Sequence, residues 1–135
     1  MAKESGLGWT TLSVDDGSAA LQDIKNDVTN FEFSTPRAVQ DVTGVDKSAV
    51  ERLLLLADFS ITLNGVFCDD ANRSHVVFKT VATTSIQRTI SLAVSGQSLS
   101  NECVVTDYAL KRDAGGALTW EVPASLANGT APAWS

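Results

Sequence analysis

Alternation of apolar and polar residues is the feature that most limits what this chain can fold into. Between residues 86 and 94 the even positions are Ile86, Arg88, Ile90, Leu92 and Val94, and the odd ones Gln87, Thr89, Ser91, Ala93 and Ser95 flank them. A period of two places alternate side chains on opposite faces of an extended strand, so this pattern builds a sheet with one dry face. Residues 118–126 repeat it, with Leu118, Trp120, Val122, Ala124 and Leu126 against Thr119, Glu121 and Ser125. Between them, residues 99–110 alternate less cleanly: Val104, Tyr108 and Leu110 are read as one side, interrupted by Glu102 and Thr106. Turn signals at Gly96-Gln97 and Ala114-Gly115-Gly116 separate the three segments, which predicts an antiparallel meander.

The first half carries two more strands. Residues 51–67 place Leu53, Leu55, Ala57, Phe59, Ile61, Leu63 and Phe67 at odd positions, and Asp58, Ser60, Thr62 and Asn64 form the wet face from residue 58 onward. Residues 53–56 also fit a helix, but the alternation runs on into Phe67 without a change of phase, which favours a long strand broken only by Gly65. In residues 26–34, Val28 is out of step, while Phe31 and Phe33 oppose Asn30, Glu32 and Ser34. One stretch reads as helix: residues 71–79 follow Asp69-Asp70, either of which can cap it, for two to three turns with Val77 and Phe78 inward. Residues 34–50 show no core face and read as a long connection, a length that inside a domain is usually functional. The tail, residues 128–135, ends in Trp134, an indole that is costly to expose unless it docks on this subunit or a neighbour.

With 135 residues and 44% hydrophobic content the chain is expected to form one domain over residues 1–135, mainly β, a sandwich or barrel of antiparallel strands with one short α-helix. A net charge of −6 argues against a phosphate grip on nucleic acid, which needs clustered Lys and Arg. Residues 1–11 hold Lys3 but no apolar run, and the longest such run, residues 53–57, is too short to span a bilayer. A soluble, cytoplasmically made protein without a membrane partner is therefore expected, with Cys68 and Cys103 as free thiols. His75, the single histidine, has no partners that mark a catalytic or metal site, and the doublets Asp15-Asp16 and Asp69-Asp70 lack the spacing of a calcium loop, so both read as solvated turns. No catalytic residue, metal ligand or cofactor is assigned. Charge is uneven: residues 13–70 hold 11 acids and 4 bases, whereas residues 71–101 hold Arg73, Lys79 and Arg88 and no acid, an asymmetry that would suit head-to-tail contact between identical subunits.

Several stretches in order resemble a known family. They are NDVTNFEFSTPRAVQDV (residues 26–42), DKSAVERLLLLADFSITLNGVF (46–67), NRSHVVFK (72–79), TDYALKR (106–112) and LANGTAPAW (126–134). The series is similar to the major tail tube proteins of long-tailed, non-contractile, siphovirus-type bacteriophages, and most like those of phages infecting actinobacteria. The resemblance covers the chain from about Val14 onward and carries no catalytic signature.

That resemblance implies a β-sandwich with one short helix, related in fold to the tubes of contractile tails and of type VI secretion. It implies hexameric rings stacked around a tape-measure protein, capped by tail tip or terminator proteins, in a virion tail assembled in the host cytoplasm. Double-stranded DNA would pass through the lumen during ejection without sequence-specific binding. The long loop at about 34–50, with Pro36, Arg37, Gln40, Asp41, Asp46 and Lys47, would reach between rings, and Trp134 on the extended tail (about 128–135) would contact a neighbouring subunit. A wall of carboxylates, hydroxyls and amides lets DNA slide where Lys and Arg would hold it; the expected lumen residues are Asn30, Glu32, Ser34, Asp58, Ser60 and Thr62. Arg52 shares the parity of Asp58 and is expected to pair with a carboxylate near the barrel's end. The alternative is a small β-sandwich binding module, a virion decoration or carbohydrate-binding domain, which would need an aromatic platform from Trp9, Trp120 and Trp134.

Overall fold

In a computed structural model, which describes residue 3 and residues 5–135, the alternating segments become strands. In chain order the described elements are β1 (Thr11–Asp15), β2 (Leu21–Asp23), β3 (Val28–Ser34), β4 (Arg37–Asp41), β5 (Arg52–Ala57), β6 (Ser60–Val66), α1 (Ser74–Phe78), β7 (Arg88–Val94), β8 (Gln97–Val105), β9 (Ala109–Arg112) and β10 (Leu118–Leu126). The expectation about a leader in residues 1–11 falls partly on residues 1, 2 and 4, outside the described residues. One sheet runs in the order β2-β1-β7-β8-β10-β6-β3, with β9 also on β10, and β4 and β5 form a separate two-stranded ribbon. Neighbouring strands are antiparallel throughout.

The sheet curls so that the inner faces of its two halves share one core. Leu12, Val14, Ile90, Leu92, Leu99 and Cys103 come from one half, and Ile61, Leu63, Trp120, Val122 and Ala124 from the other, with Phe59, Val77 and Phe78 between them. Burying each large apolar side chain contributes about 1.5–3 kcal/mol. The side where β1 and β3 lie is closed by aromatic rings: Trp9 meets Phe31 edge-on at 4.8 Å and Phe33 at 6.4 Å. The β7–β8 turn is two residues, Ser95 and Gly96, both at positive φ, the conformation a tight antiparallel hairpin demands. Pro123 stands where β10 changes partner from β9 to β8, so its missing N–H removes no ladder bond there, and its carbonyl accepts from Thr106 at 3.4 Å.

Arg88 lies on the inner parity of β7 and is only 1% exposed. Its guanidinium donates to the carbonyls of Asp15 (2.9 Å) and Val77 (2.8 Å) and to the Thr80 hydroxyl (3.0 Å), tying β7 to β1 and to the end of α1. Burial pulls its pKa down, and the charges of Asp16 and Asp15 oppose that pull. Because Arg88 is buried, only Arg73 and Lys79 of the three bases in residues 71–101 reach the surface, and Arg73 donates to the Asp23 carbonyl at 3.1 Å.

Several expectations are corrected. The helix spans five residues rather than two to three turns, and neither Asp69 nor Asp70 caps it; the buried Asp27 carboxylate accepts the Ser74 N–H at 2.9 Å from 47 residues away. Asp15 is not in a solvated turn: it is 7% exposed and accepts from the Thr89 N–H at 3.0 Å, whereas Asp16 does cap a turn through the N–H groups of Ser18 and Ala20. In residues 99–110 the inner side is Leu99, Asn101 and Cys103, while Val104 and Leu110 are exposed, and the segment splits into β8 and β9. The strand read over residues 51–67 breaks at Asp58-Phe59, and Leu53 and Leu55 are exposed rather than core. Residues 34–50 are not an irregular loop throughout, because β4 lies within them, and the sequence reading did not identify β1 and β2. Val28, out of step in the sequence, sits at a register shift in the β3–β6 ladder.

Two outcomes follow from the core. A Cβ at Gly65 would run into the Asp27 carbonyl oxygen and the Trp120 ring, so Gly65→Ala is expected to lower stability by about 1–3 kcal/mol; an unchanged urea midpoint would show that the ring has room to move. Burial pushes the Cys103 thiol up to about 12, and Cys68 is half-buried. A thiol reagent at pH 8 should therefore leave Cys103 unlabelled until the chain unfolds, and rapid native labelling of Cys103 would contradict that packing.

Candidate functional site

The pleat that sends Ile61, Leu63, Phe31 and Phe33 inward sends the polar residues of β3 and β6 outward together. In register, Asn30 faces Asn64, Glu32 faces Thr62, and Ser34 faces Ser60, whose hydroxyls lie 3.3 Å apart. The face continues on β10, where Glu121, Pro123 and Ser125 stand beside Asn64, Thr62 and Ser60, and on β9, where Lys111 stands beside Thr119. Five of the six expected lumen residues, Asn30, Glu32, Ser34, Ser60 and Thr62, thus share one surface of hydroxyls, amides and carboxylates. Asp58 is off the ladder, at the β5–β6 break: its N–H donates to the Pro36 carbonyl (2.8 Å) and its carboxylate accepts from Phe59 N–H (2.8 Å). The alternation places Asn64, Thr119, Glu121 and Ser125 on the polar sides of their strands, but the expected lumen set leaves them out because the sequence does not show that β10 lies beside β6.

From the end of this face marked by Ser34 and Ser60, the chain projects as the ribbon β4–β5. Its register sets Val39 opposite Leu54, Gln40 opposite Leu53, and Asp41 opposite Arg52, with a shift between Arg37 and Val39. The Arg37 Nε donates to the Leu55 carbonyl at 2.9 Å. At the tip, the Thr43 hydroxyl (2.6 Å) and N–H (2.9 Å) donate to Asp41 and hold its carboxyl below the usual range, in that order of effect. Asp46 and Lys47 pair at 3.5 Å. Arg52 stands opposite Asp41 in the ribbon's register, but the pairing expected of it is not made: no ion pair joins the two among the described residues. Pro36, Arg37, Gln40, Asp41, Asp46 and Lys47 are all exposed on this projection, which extends to Ala57 rather than ending at residue 50.

The ribbon is apolar on both faces. Val39, Val42, Val45, Val50, Leu53, Leu54, Leu55 and Leu56 are all exposed, Leu56 at 85%. A lone two-stranded ribbon is marginal in water, and a contiguous apolar surface of this kind marks a place where another surface binds. The aromatic platform that a binding module would need is not assembled: Trp120 is buried, Trp9 packs on Phe31, and Trp134, 48% exposed, lies 6.0 Å from Phe33 of its own chain. The tail reaches that position by exchanging backbone hydrogen bonds between Ser135 and Ser98 (2.9 and 2.8 Å). His75 is spent in packing, on Phe67 at 4.6 Å and with Nδ1 3.2 Å from the Tyr108 hydroxyl. Among the described residues no three His, Cys, Asp or Glu side chains gather as a metal site, and no helix is long and apolar enough to cross a membrane.

No protein-family model matches the chain, and no curated protein matches it. Solved structures do. A chain from the tail of an empty gene transfer agent particle, with C6 symmetry, superposes with a TM-score of 0.73 at 18% identity over 98% of each chain. A chain from the virion of a native gene transfer agent particle gives 0.70 at 16% identity over 98% of this chain and 99% of that one. The antiparallel sheet with, among the described residues, one short helix is therefore a fold shared with chains of gene transfer agent particles, one of them from the particle's tail.

Because the leucines of β5 touch little of their own subunit, Leu54→Ser with Leu56→Ser should leave the free subunit's stability within about 0.5 kcal/mol. A melting temperature lowered by many degrees would mean that the ribbon packs on its own sheet.

Proposed function

We propose that the chain is the structural protein of a phage-like tail tube, of the non-contractile, siphovirus type that its sequence resembles, and not an enzyme. Six copies close into a ring with the β9-β10-β6-β3 face turned to the bore, and rings stack through the ribbon of residues 37–57. The observation that carries this reading is the ribbon itself: it exposes leucine and valine on both faces at one end of a polar sheet, an arrangement that makes sense only when another molecule covers it. The C6 symmetry of the tail that contains a similar chain supports the ring.

The polar face explains passage without adhesion. Double-stranded DNA presents about one negative charge per 1.7 Å of axis, and a bore lined with Lys and Arg would release its counterions and hold it. Here the ladder residues are Asn30, Glu32, Ser34, Ser60, Thr62, Asn64, Thr119, Glu121 and Ser125, with Val66 and Pro123 among them and Lys111 as the cation that β9 adds to this face. Hydroxyls and amides repeated around a ring offer DNA no preferred resting place, and the carboxylates keep it off the wall. In this reading a tape-measure protein fills the bore before DNA does, tip and terminator proteins bound the tube, and the half-exposed Trp134 faces a neighbouring subunit.

Negative-stain microscopy and mass photometry of the concentrated protein test the proposal: rings or hollow tubes are expected. Deleting residues 40–48 removes the ribbon's tip and should leave folded subunits or single rings that no longer stack; intact tubes from that variant would contradict the ribbon's role.

A further inference from the structure

Asparagine is followed by glycine at two places in the chain, Asn64-Gly65 and Asn128-Gly129. This dipeptide has a chemistry of its own in water: the backbone nitrogen of the second residue attacks the side-chain amide of the first, and glycine, lacking a Cβ, hinders that attack least. The fold sets the two copies in opposite situations.

Asn64-Gly65 is held in β6 between two other strands. Asn64 is in register with Glu121 on one side and Asn30 on the other, Gly65 with Trp120 and Val28, and the Asn64 carbonyl accepts from the Thr29 hydroxyl at 3.3 Å. Turning that peptide far enough for attack would break both ladders. Asn128-Gly129 lies just past β10, after the Ala127 N–H has donated to the Glu102 carbonyl (2.9 Å), and the next backbone bonds along the tail are those of Ser135 with Ser98. Residues 128–130 are exposed, and Gly129 is at φ +74° with nothing within 4 Å of where a Cβ would stand. The Thr130 N–H donates to Asn128 Oδ1 at 3.1 Å. That bond folds the side chain back over the Gly129 peptide, brings Cγ beside the Gly129 nitrogen and polarises the carbonyl to be attacked.

We propose that Asn128 is a self-modifying residue. The Gly129 nitrogen bonds to Asn128 Cγ as the Cγ–Nδ2 bond breaks, and the amide leaves as ammonia with the proton from the Gly129 N–H. Water then opens the five-membered imide at either carbonyl, giving aspartate or isoaspartate; water is the only co-reactant. The product carries one more negative charge than the −6 of the unaltered chain, and in the isoaspartyl form one more backbone atom between the two points that hold the tail. The site belongs to the single subunit and does not depend on the ring reading.

The test incubates the folded chain at pH 8 and 37 °C and maps its tryptic peptides by mass spectrometry. Residues 113–135 form one such peptide, in which Asn128 is the only asparagine. It should gain the mass of NH2 exchanged for OH, with isoaspartate detected by methyl transfer from S-adenosylmethionine, at least ten times faster than Asn64 changes in the peptide of residues 53–73. In urea the two sites should convert at similar rates, because unfolding removes the ladders. Gly129→Ala should slow the folded chain's conversion at Asn128 at least tenfold. Asn128 intact in the folded chain while it converts in urea, or Asn64 converting as fast as Asn128 before unfolding, would overturn the proposal.

Discussion

The ribbon cannot bury its own leucines. Two strands have only two faces, and in residues 37–57 both are apolar and both face water. A curled sheet solves this problem for the rest of the chain by folding one half onto the other, so that Leu12, Leu92, Trp120 and Leu63 cover one another. Burial of apolar surface is the dominant favourable term in folding and in association alike. The subunit's core stabilises the fold, and in the proposed tube the surface the ribbon leaves exposed is covered by a neighbouring ring.

This division fixes what the remaining surfaces do. The ribbon leaves the sheet at the end of β3 and β6 marked by Ser34 and Ser60, while the unpaired edges of β3 and β9 lie at the sides of the polar face. In the proposed tube the first contact would stack rings and the second would close them. The polar face lies between the two edges, where neither contact would cover it. Its composition follows from the strand pleat: once Ile61, Leu63, Phe31 and Trp120 are committed to the core, every alternate residue must face outward, and apart from Val66, Pro123 and Lys111 those residues carry hydroxyls, amides or carboxylates.

Much of this was legible in the sequence where one rule acted alone. In β7 and β10 a strict period of two meant one face in a core, and the structure puts Ile90, Leu92, Trp120 and Val122 there. The pattern misled where two causes compete. In β8 an inward Asn101 and an outward Val104 invert the usual preference, so the parity was read backwards. Leu53 to Leu56 look like a core strand because a run of leucines reads the same whether its own subunit covers it or leaves it exposed, and here the chain leaves it exposed. The helix end lay out of sight for another reason: its cap, Asp27, is a long-range partner, and no local pattern points to it. β1 and β2 are too short, at five and three residues, for periodicity to stand out.

The central claim is that another copy of the chain covers the ribbon while the polar sheet faces a bore. A cryo-electron microscopy map of the assembled protein at side-chain resolution tests it most directly. The account predicts Leu53 to Leu56 packed against a subunit of the adjacent ring, with Glu32, Thr62 and Glu121 lining the channel. A map with the ribbon in solvent, or with the outer face of β1, β7 and β8 lining the channel, would contradict it.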